Sequence, residues 1–298
     1  VNTSDRPSAA PSGSLAALVA LVTVSYFSGD DVLTCLASTS SASSEPLDLI
    51  VVNNAPGDDL TAATASSGAR ILSPGRNLGY GGAVNFAARS LGTDARFILV
   101  TNPDVVFEPG SIDEMLAVIR ADDRIGAVGP RVTNDDGSIY PSARDVPSLT
   151  SGAGHAVFHR VWPQNPWSKR YLRADKSKTS GTEPIESGWL SGSCMLVRRD
   201  AFEQVGGFDD RFFMYFEDVD LGERLGNAGR RVLYAPTATV QHTGGTSTKR
   251  VSAAMLSAHH HSAYLYLAKR YHRWYQLPLR VALRAGLGAR AAAGRIRG

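Results

Sequence analysis

Apolar residues gather into short runs separated by gaps of helical length. The runs are Leu15–Tyr26, Leu47–Val52, Arg70–Ser73, Phe97–Thr101 and Ile125–Gly129. Between them DDVLTCLAST, GGAVNFAARSL and SIDEMLAVIRA carry apolar positions three and four apart, the spacing of one helix face. Strand–helix alternation of this kind predicts an α/β fold, a parallel sheet covered on both faces. After Pro130 the rhythm changes. RVTNDDGSIYPSAR holds the turn dipeptide Asp136-Gly137, which predicts a hairpin. Residues 168–187 are polar and predict a mobile loop, and WLSGSCMLV predicts one further strand, followed by a helix from Arg199 to Val205. The Gly206-Gly207 break then precedes the acidic stretch FFMYFEDVDLGERL, and the remaining C-terminal stretch predicts two helices, the second opened by Pro278.

Charge divides the chain. The net charge of +3 over 298 residues conceals a tail, Arg224 to Gly298, with 13 Lys and Arg and neither Asp nor Glu, against a body holding all 28 acids. A basic tail on an acidic body predicts an anionic partner. A membrane surface is favoured over nucleic acid, because no nucleic-acid reading motif accompanies the charge. From Lys249 onward the bases are interleaved with Tyr264, Tyr266, Tyr271, Trp274 and Tyr275, a composition suited to an interfacial helix. The longest apolar run, LAALVALVTV, is half of what a spanning helix needs, so it reads as a buried first strand. Residues 1–14, rich in Ser, Pro and Ala, read as a disordered leader. Two cysteines, Cys35 and Cys194, imply no disulfide framework and fit a reducing, cytoplasmic setting.

Five segments carry candidate chemistry, and each has an ordinary account beside it. In FILVTNPDVVF an apolar strand runs at Asp104 through a proline. Asn-Pro-Asp is common turn chemistry, yet the carboxyl end of a central strand is also where open α/β sheets keep ligands. One carboxylate there suffices for Mg²⁺ or Mn²⁺, which take their remaining ligands from substrate phosphates. RNLGYGGAVNFA sets Gly79, Gly81 and Gly82 before a helix, either as a plain loop or as a close-approach site for phosphate. Asn53 and Asn54 end a strand, either in an Asx turn or facing a nucleobase edge. Glu217, Asp218 and Asp220 open a helix, where acids are commonly dipole partners. On that helix Glu217 and Asp220 share a face and Asp218 points elsewhere. The preceding Met214-Tyr215-Phe216 offers the dry surroundings that raise a carboxylate toward general-base duty. His242 is a lone histidine unless it shares a cation with Asp104. The run His259-His260-His261 reads as solvated or membrane-facing, since successive helical residues diverge.

Taken in order, these segments resemble the inverting family-2 glycosyltransferases of the GT-A fold, with a Rossmann-like, mostly parallel sheet. The shared order is the strand-end Asn pair, NLGYGGAVN, NPD in place of D-x-D, GGFDDRFFMYFEDVDLGERL and a late His. The resemblance runs from about Leu18 to Ser247. SIYPSARDVPS, WPQNPW and GWLSGSCMLVRR further resemble the rhamnosyltransferases of the actinobacterial cell-wall linker. Those enzymes move L-rhamnose from dTDP-L-rhamnose to a GlcNAc-diphospho-polyprenol. The resemblance implies a glycosyltransferase domain over residues 15–248, with a nucleotide half at 15–130 and an acceptor half at 131–248. Residues 249–298 would be a basic helical tail on the inner face of the plasma membrane.

The same resemblance implies roles for individual residues. Thr23, Val24, Ser25, Tyr26 and Asn53 would meet the nucleobase. Asn77, Gly79, Tyr80, Gly81, Gly82 and Asn85 would line the donor pocket. Asn102 would sit by the ribose, Asp104 and His242 would hold Mg²⁺ or Mn²⁺, and Asp218 would be the base. Glu217 with Trp189, Ser191, Gly192 and Ser193 would shape the acceptor side. Asn53 stands where the family has Asp, so base recognition there lacks charge assistance. Two other readings remain: a relative using another nucleotide-sugar for exopolysaccharide or O-antigen-type glycans, and a sugar-phosphate nucleotidyltransferase. SYFSGDD lacks the Gly-rich loop with Arg that the latter needs after its first strand. RYHRW matches the R-x-x-R-W pattern of processive synthases, but no transmembrane segment accompanies it, so transfer of a single sugar is expected.

Overall fold

The computed structural model describes residues 17–147, 175–244 and 253–296. The leader, WPQNPW and Lys249 lie outside the described residues.

Strand β1 (Val19–Ser25) is buried at all seven positions. Its side chains alternate between two apolar layers. Val19 and Leu21 join Val32, Leu36, Met115 and Ile119 on one face. Ala20, Val22 and Val24 join Ile50, Val84, Phe202 and Phe208 on the other. A strand buried on both sides has no polar alternation to show, and this is why LAALVALVTV reads as a continuous run.

The first half of the chain follows the predicted rhythm. Helix α1 (Gly29–Ala42) leads to β2 (Leu47–Asn53), the short α2 (Thr61–Thr64) to β3 (Arg70–Leu72), and α3 (Tyr80–Ala88) to β4 (Phe97–Thr101). Strands β3, β2, β1 and β4 lie side by side and parallel. Next come β5 (Val105–Phe107), α4 (Ser111–Arg120) and β6 (Ile125–Asn134), the last running five residues past the predicted end at Gly129. The hairpin forms as predicted: β7 (Ile139–Tyr140) pairs antiparallel with β6, and Gly137 takes φ 77° at the turn.

Beyond β8 (Ala143–Arg144), two expectations need correction. Residues 175–187 are anchored, and 168–174 of the expected loop lie outside the described residues. Asp175 bridges Arg144, Ser177 Oγ accepts the Ala143 N–H at 3.0 Å, and β9 (Ile185–Glu186) pairs with the last strand of the sheet. Backbone pairing, invisible in a polar composition, holds this stretch. WLSGSCMLV forms two strands rather than one: β10 (Trp189–Leu190) pairs with β8, and β11 (Cys194–Arg198) enters the main sheet. The break falls at Ser191-Gly192-Ser193.

Strand β11 is antiparallel to both β4 and β6, and β12 (Arg231–His242) lies parallel to β6. The sheet order is therefore β3-β2-β1-β4-β11-β6-β12-β5. Helices α5 (Arg199–Gln204) and α6 (Glu217–Asn227) belong to this half, and α7 (Ala253–Arg270) and α8 (Leu277–Ile296) close the chain.

Helix α7 is not a free tail. Tyr266 is buried and its hydroxyl donates to Glu223 at 2.6 Å. Lys269 lies between Asp209 (2.9 Å) and Asp220 (2.6 Å), and Arg270 meets Glu223 at 2.7 Å. Part of the basic surplus thus neutralises acids of the body, which a reading by charge blocks alone assigned to an outside partner. His259 lies edge-on to Tyr215 and Phe216 at ring-centroid distances of 5.3 and 5.5 Å yet stays exposed, as does His261, in keeping with the expected solvated run.

Candidate active site

Sheet register brings the first pair together. The antiparallel pairing of β12 with β5 sets His242 opposite Val105, the residue after Asp104. His242 Nε2 then lies 3.2 Å from Asp104 Oδ1, and Asp104 is only 6% exposed. The Asp104 carbonyl accepts the Thr243 N–H at 3.0 Å, fixing the junction. Asn102 Nδ2 stands 3.4 Å from the same imidazole nitrogen.

The second pair sits at the start of α6. Tyr215 and Phe216 both adopt left-handed backbone, φ 70° and 67°, immediately before Glu217 and Asp218. Such conformations cost non-glycine residues on the order of 1–3 kcal/mol each, so surrounding packing must hold them. Phe216 is held between His259 and Tyr266 of α7. Asp218 Oδ2 accepts the Gly192 N–H at 3.0 Å, and Oδ1 accepts the Val219 N–H at 2.8 Å. Glu217 is 6% exposed, and its Oε2 has no hydrogen-bond partner among the described residues. Burial, reinforced by the Asp218 charge, pushes the Glu217 carboxyl up to about 8. Burial also raises Asp218, opposed by its hydrogen bonds from Gly192 and Val219. Asp220 has a different task. It pairs with Arg224 and Lys269, each at 2.6 Å, and belongs to the ionic contact with α7.

The Ser191–Ser193 turn joins the two pairs. Gly192 binds Asp218 through its N–H, and the Ser193 carbonyl accepts the Asn102 N–H at 2.8 Å. Tyr80 closes the arrangement, its hydroxyl donating to the Gly192 carbonyl at 2.5 Å. Ser191 Oγ accepts the Ser193 N–H at 3.2 Å, while the Trp189 indole N–H has no partner among the described residues. Sequence reasoning missed Tyr140, which lay unremarked inside SIYPSARDVPS. Its ring stands 5.8 Å from that of His242, and two residues on the Ser142 carbonyl accepts the Ser191 N–H at 2.7 Å. Burial and the Asp218 charge raise the Tyr140 phenol.

Several donor-side candidates serve the fold. Asn53 makes an Asx turn, accepting from Ala55 N and donating to the Asp58 carbonyl. Asn54 clasps the glycine loop, accepting the Leu78 N–H at 2.8 Å and donating to Asn77 and to the Gly79 carbonyl. Asn77 caps the same loop through the Gly79 N–H. The close approach that glycine permits here is made by the chain itself. A Cβ on Gly79 (φ 74°) would land on the Phe213 carbonyl, and one on Gly81 would meet Phe208 at 2.8 Å. A Cβ on Gly82 would lie 3.3 Å from Leu78, a milder contact. Asn85 is buried, donating to Phe208 O and Asp210 and accepting from Phe208 N. Thr23, Val24 and Ser25 are buried in β1, whereas Tyr26 is half exposed at the strand's carboxyl end. The loop therefore couples β2 to the FDDRFF segment, and hence to the turn that presents Asp218.

With this geometry in place, comparison with known proteins decides the family. The profile "Glycosyltransferase like family 2" matches residues 16–275. The chain belongs to the family-2 glycosyltransferases. It is 45% identical over 282 residues to the N-acetylglucosaminyl-diphospho-decaprenol L-rhamnosyltransferase of Mycobacterium tuberculosis, covering 91% of each chain. It is 39% identical over 82 residues to rhamnosyltransferase WbbL of Escherichia coli, covering 28% of this chain and 31% of that one. Among solved structures, the mannosyltransferase of Pyrobaculum calidifontis, in complex with GDP-Man and Mn²⁺, matches with TM-score 0.59 at 16% identity. That match covers 93% of this chain and 77% of the mannosyltransferase, and it shows a shared GT-A fold. Family membership settles glycosyl transfer over nucleotidyl transfer. The matched region includes α7, in keeping with its docking on α6.

Proposed function

We propose that this glycosyltransferase moves L-rhamnose from dTDP-L-rhamnose to a GlcNAc-diphospho-polyprenol, inverting the anomeric carbon, at the cytoplasmic face of the plasma membrane. The observation that carries the sugar and the acceptor is the 45% identity to the mycobacterial L-rhamnosyltransferase over 91% of both chains. The arrangement around Gly192 supports the chemistry.

In a single displacement the acceptor hydroxyl oxygen attacks the anomeric carbon while the bond to the diphosphate oxygen breaks and its electron pair leaves with the nucleotide. Asp218 takes the hydroxyl proton. The Gly192 and Val219 N–H groups fix the carboxylate, and each oxygen keeps lone-pair capacity for the proton it receives. Glu217, kept neutral at its buried position, adds no second negative charge beside Asp218. The Ser191–Ser193 turn and Trp189 flank the acceptor side. On the donor side Asn102 adjoins the ribose, and Tyr26 is the member of the Thr23–Tyr26 segment placed to meet the base.

Asp104 and His242 fit a divalent cation. One carboxylate and one imidazole 3.2 Å apart match the mixed oxygen and nitrogen set that Mn²⁺ accepts. A diphosphate would complete the shell, in agreement with the lack of any cluster of three or more His, Cys, Asp or Glu among the described residues. When bound, Mg²⁺ or Mn²⁺ would act as a Lewis acid toward the departing diphosphate.

The membrane reading rests on α8 and the segment before it. Trp274 is 85% exposed, and Tyr275, Leu277 and Val281 are also exposed beside Arg273, Arg280 and Arg284. Aromatic and basic residues together suit an anionic interface. No helix among the described residues is long and apolar enough to cross a bilayer.

The test is a panel of nucleotide-sugars supplied with GlcNAc-diphospho-polyprenol, reading product mass and anomeric configuration. Rhamnosylated lipid of inverted configuration is expected. Product from another donor alone would replace the rhamnosyl assignment while leaving glycosyl transfer in place.

A further inference from the structure

The sugar in transit has to reach from the diphosphate oxygen, on the Asp104–His242 side, to the acceptor hydroxyl beside Asp218. One segment adjoins both ends of that span. Tyr140 is carried by the β6–β7 hairpin, opposite Val132, and Val132 pairs in turn with Val240 of β12. This register lays the Tyr140 ring beside His242, with centroids 5.8 Å apart and planes tilted by 54°. On the other side the same segment meets the acceptor turn, the Ser142 carbonyl accepting the Ser191 N–H at 2.7 Å, and the Asp218 charge helps to raise the Tyr140 phenol. Ser191 is the residue before Gly192, whose N–H holds Asp218. The Tyr140 backbone is pinned as well, its carbonyl accepting the Ser142 N–H at 2.8 Å. A ring held beside His242 on a pinned main chain is a rigid wall.

We propose that Tyr140 is a specificity-determining residue, its ring forming the apolar wall against which the transferred sugar packs, so that the site favours a 6-deoxy sugar. The inference rests on the rhamnosyl reading given above. L-Rhamnose bears a methyl group where L-mannose bears a hydroxymethyl. An aromatic face offers that methyl a contact and leaves an added hydroxyl without a hydrogen-bond partner. Discrimination by an apolar surface against one extra hydroxyl is limited to roughly 100-fold.

The experiment compares kcat/KM for dTDP-L-rhamnose and dTDP-L-mannose in wild-type enzyme, Tyr140→Ala and Tyr140→Phe, with dTDP affinity measured by calorimetry in each. Tyr140→Ala should reduce the rhamnose preference about tenfold or more, with dTDP affinity within roughly twofold of wild type. Tyr140→Phe keeps the ring and should keep the preference within about threefold. An unchanged preference in Tyr140→Ala overturns the inference. So does parallel loss of dTDP affinity at constant preference, which marks a purely structural residue. Equal loss in Tyr140→Phe and Tyr140→Ala also overturns it, by assigning selectivity to the hydroxyl. A wild-type enzyme that transfers neither sugar would instead remove the rhamnosyl reading on which the inference stands.

Discussion

The Gly192 N–H donates to Asp218 Oδ2 at 3.0 Å, and one residue later the Ser193 carbonyl accepts from Asn102. A single tight turn therefore ties the acid at the start of α6 to the strand end that carries Asp104. Asp218→Asn keeps the volume and, through its single carbonyl oxygen, one of the two hydrogen bonds, but cannot accept the hydroxyl proton. It should lower kcat by roughly 10²–10⁴-fold, the usual scale for loss of a general base, with KM for donor changed little. Steady-state kinetics check this. Near-normal turnover would remove Asp218 from the role.

Helix α7 braces the acid-bearing turn. Lys269→Ala deletes both ion pairs to Asp209 and Asp220 and leaves Asp220, 2% exposed, with Arg224 alone. A stability loss of roughly 1–3 kcal/mol is expected, the range for stripping a partner from a buried polar group. Because Tyr215 and Phe216 are held in left-handed backbone by the same helix, kcat should fall as well, although Lys269 lies outside the reacting groups. Chemical denaturation and kinetics on the purified variant test both effects. Truncation after residue 248, the domain end that the resemblance implies, should yield an inactive, unstable protein.

Glu217 predicts a pH dependence of stability with a definite sign. Its folded-state carboxyl is raised from 4.5 to about 8 by burial and the Asp218 charge. Between those values the folded chain holds a proton that the unfolded chain has released. Its contribution is thus complete below the unfolded value and is lost as pH rises through the folded one. Glu217→Gln removes this slope. The wild-type Tm, measured relative to the variant, should decline from about pH 5 to about pH 8. A flat difference would show that Glu217 ionises normally.

The exposed aromatics of the last helical region should bind anionic vesicles. Replacing Trp274 and Tyr275 with Ala should weaken co-sedimentation with phosphatidylglycerol vesicles by roughly tenfold, while transfer to a water-soluble acceptor analogue stays unchanged. Equal vesicle binding by wild type and variant would move the contact elsewhere.

Much of this molecule was legible in its sequence, for identifiable reasons. Strands β1, β2 and β4 are buried on both faces and therefore read as uninterrupted apolar runs. Asp104, His242 and Asp218 stood out because their residue types carry chemistry. The glycine loop was legible as a place of close approach, but not as to what approaches. Phe213 and Phe208 stand where a Cβ on Gly79 or Gly81 would lie. Asn85 and Asn54 were likewise visible as polar residues at element ends, while their partners, 123 and 24 residues away, were not. The same distance hid the match between Lys269 and Asp220, and it hid Tyr140, which reaches His242 only through the register of three neighbouring strands.

The proposed cation site lies between Asp104 at the strand end and the late His242. Electron spin-echo spectroscopy of Mn²⁺ added with dTDP to the wild-type enzyme reads that contact directly, because an imidazole nitrogen bound to the metal modulates the echo. Nitrogen modulation in the wild type, absent in His242→Ala and accompanied by weakened Mn²⁺ binding in Asp104→Ala, is the result expected. Tightly bound Mn²⁺ with no nitrogen modulation, or modulation that survives loss of His242, would contradict it.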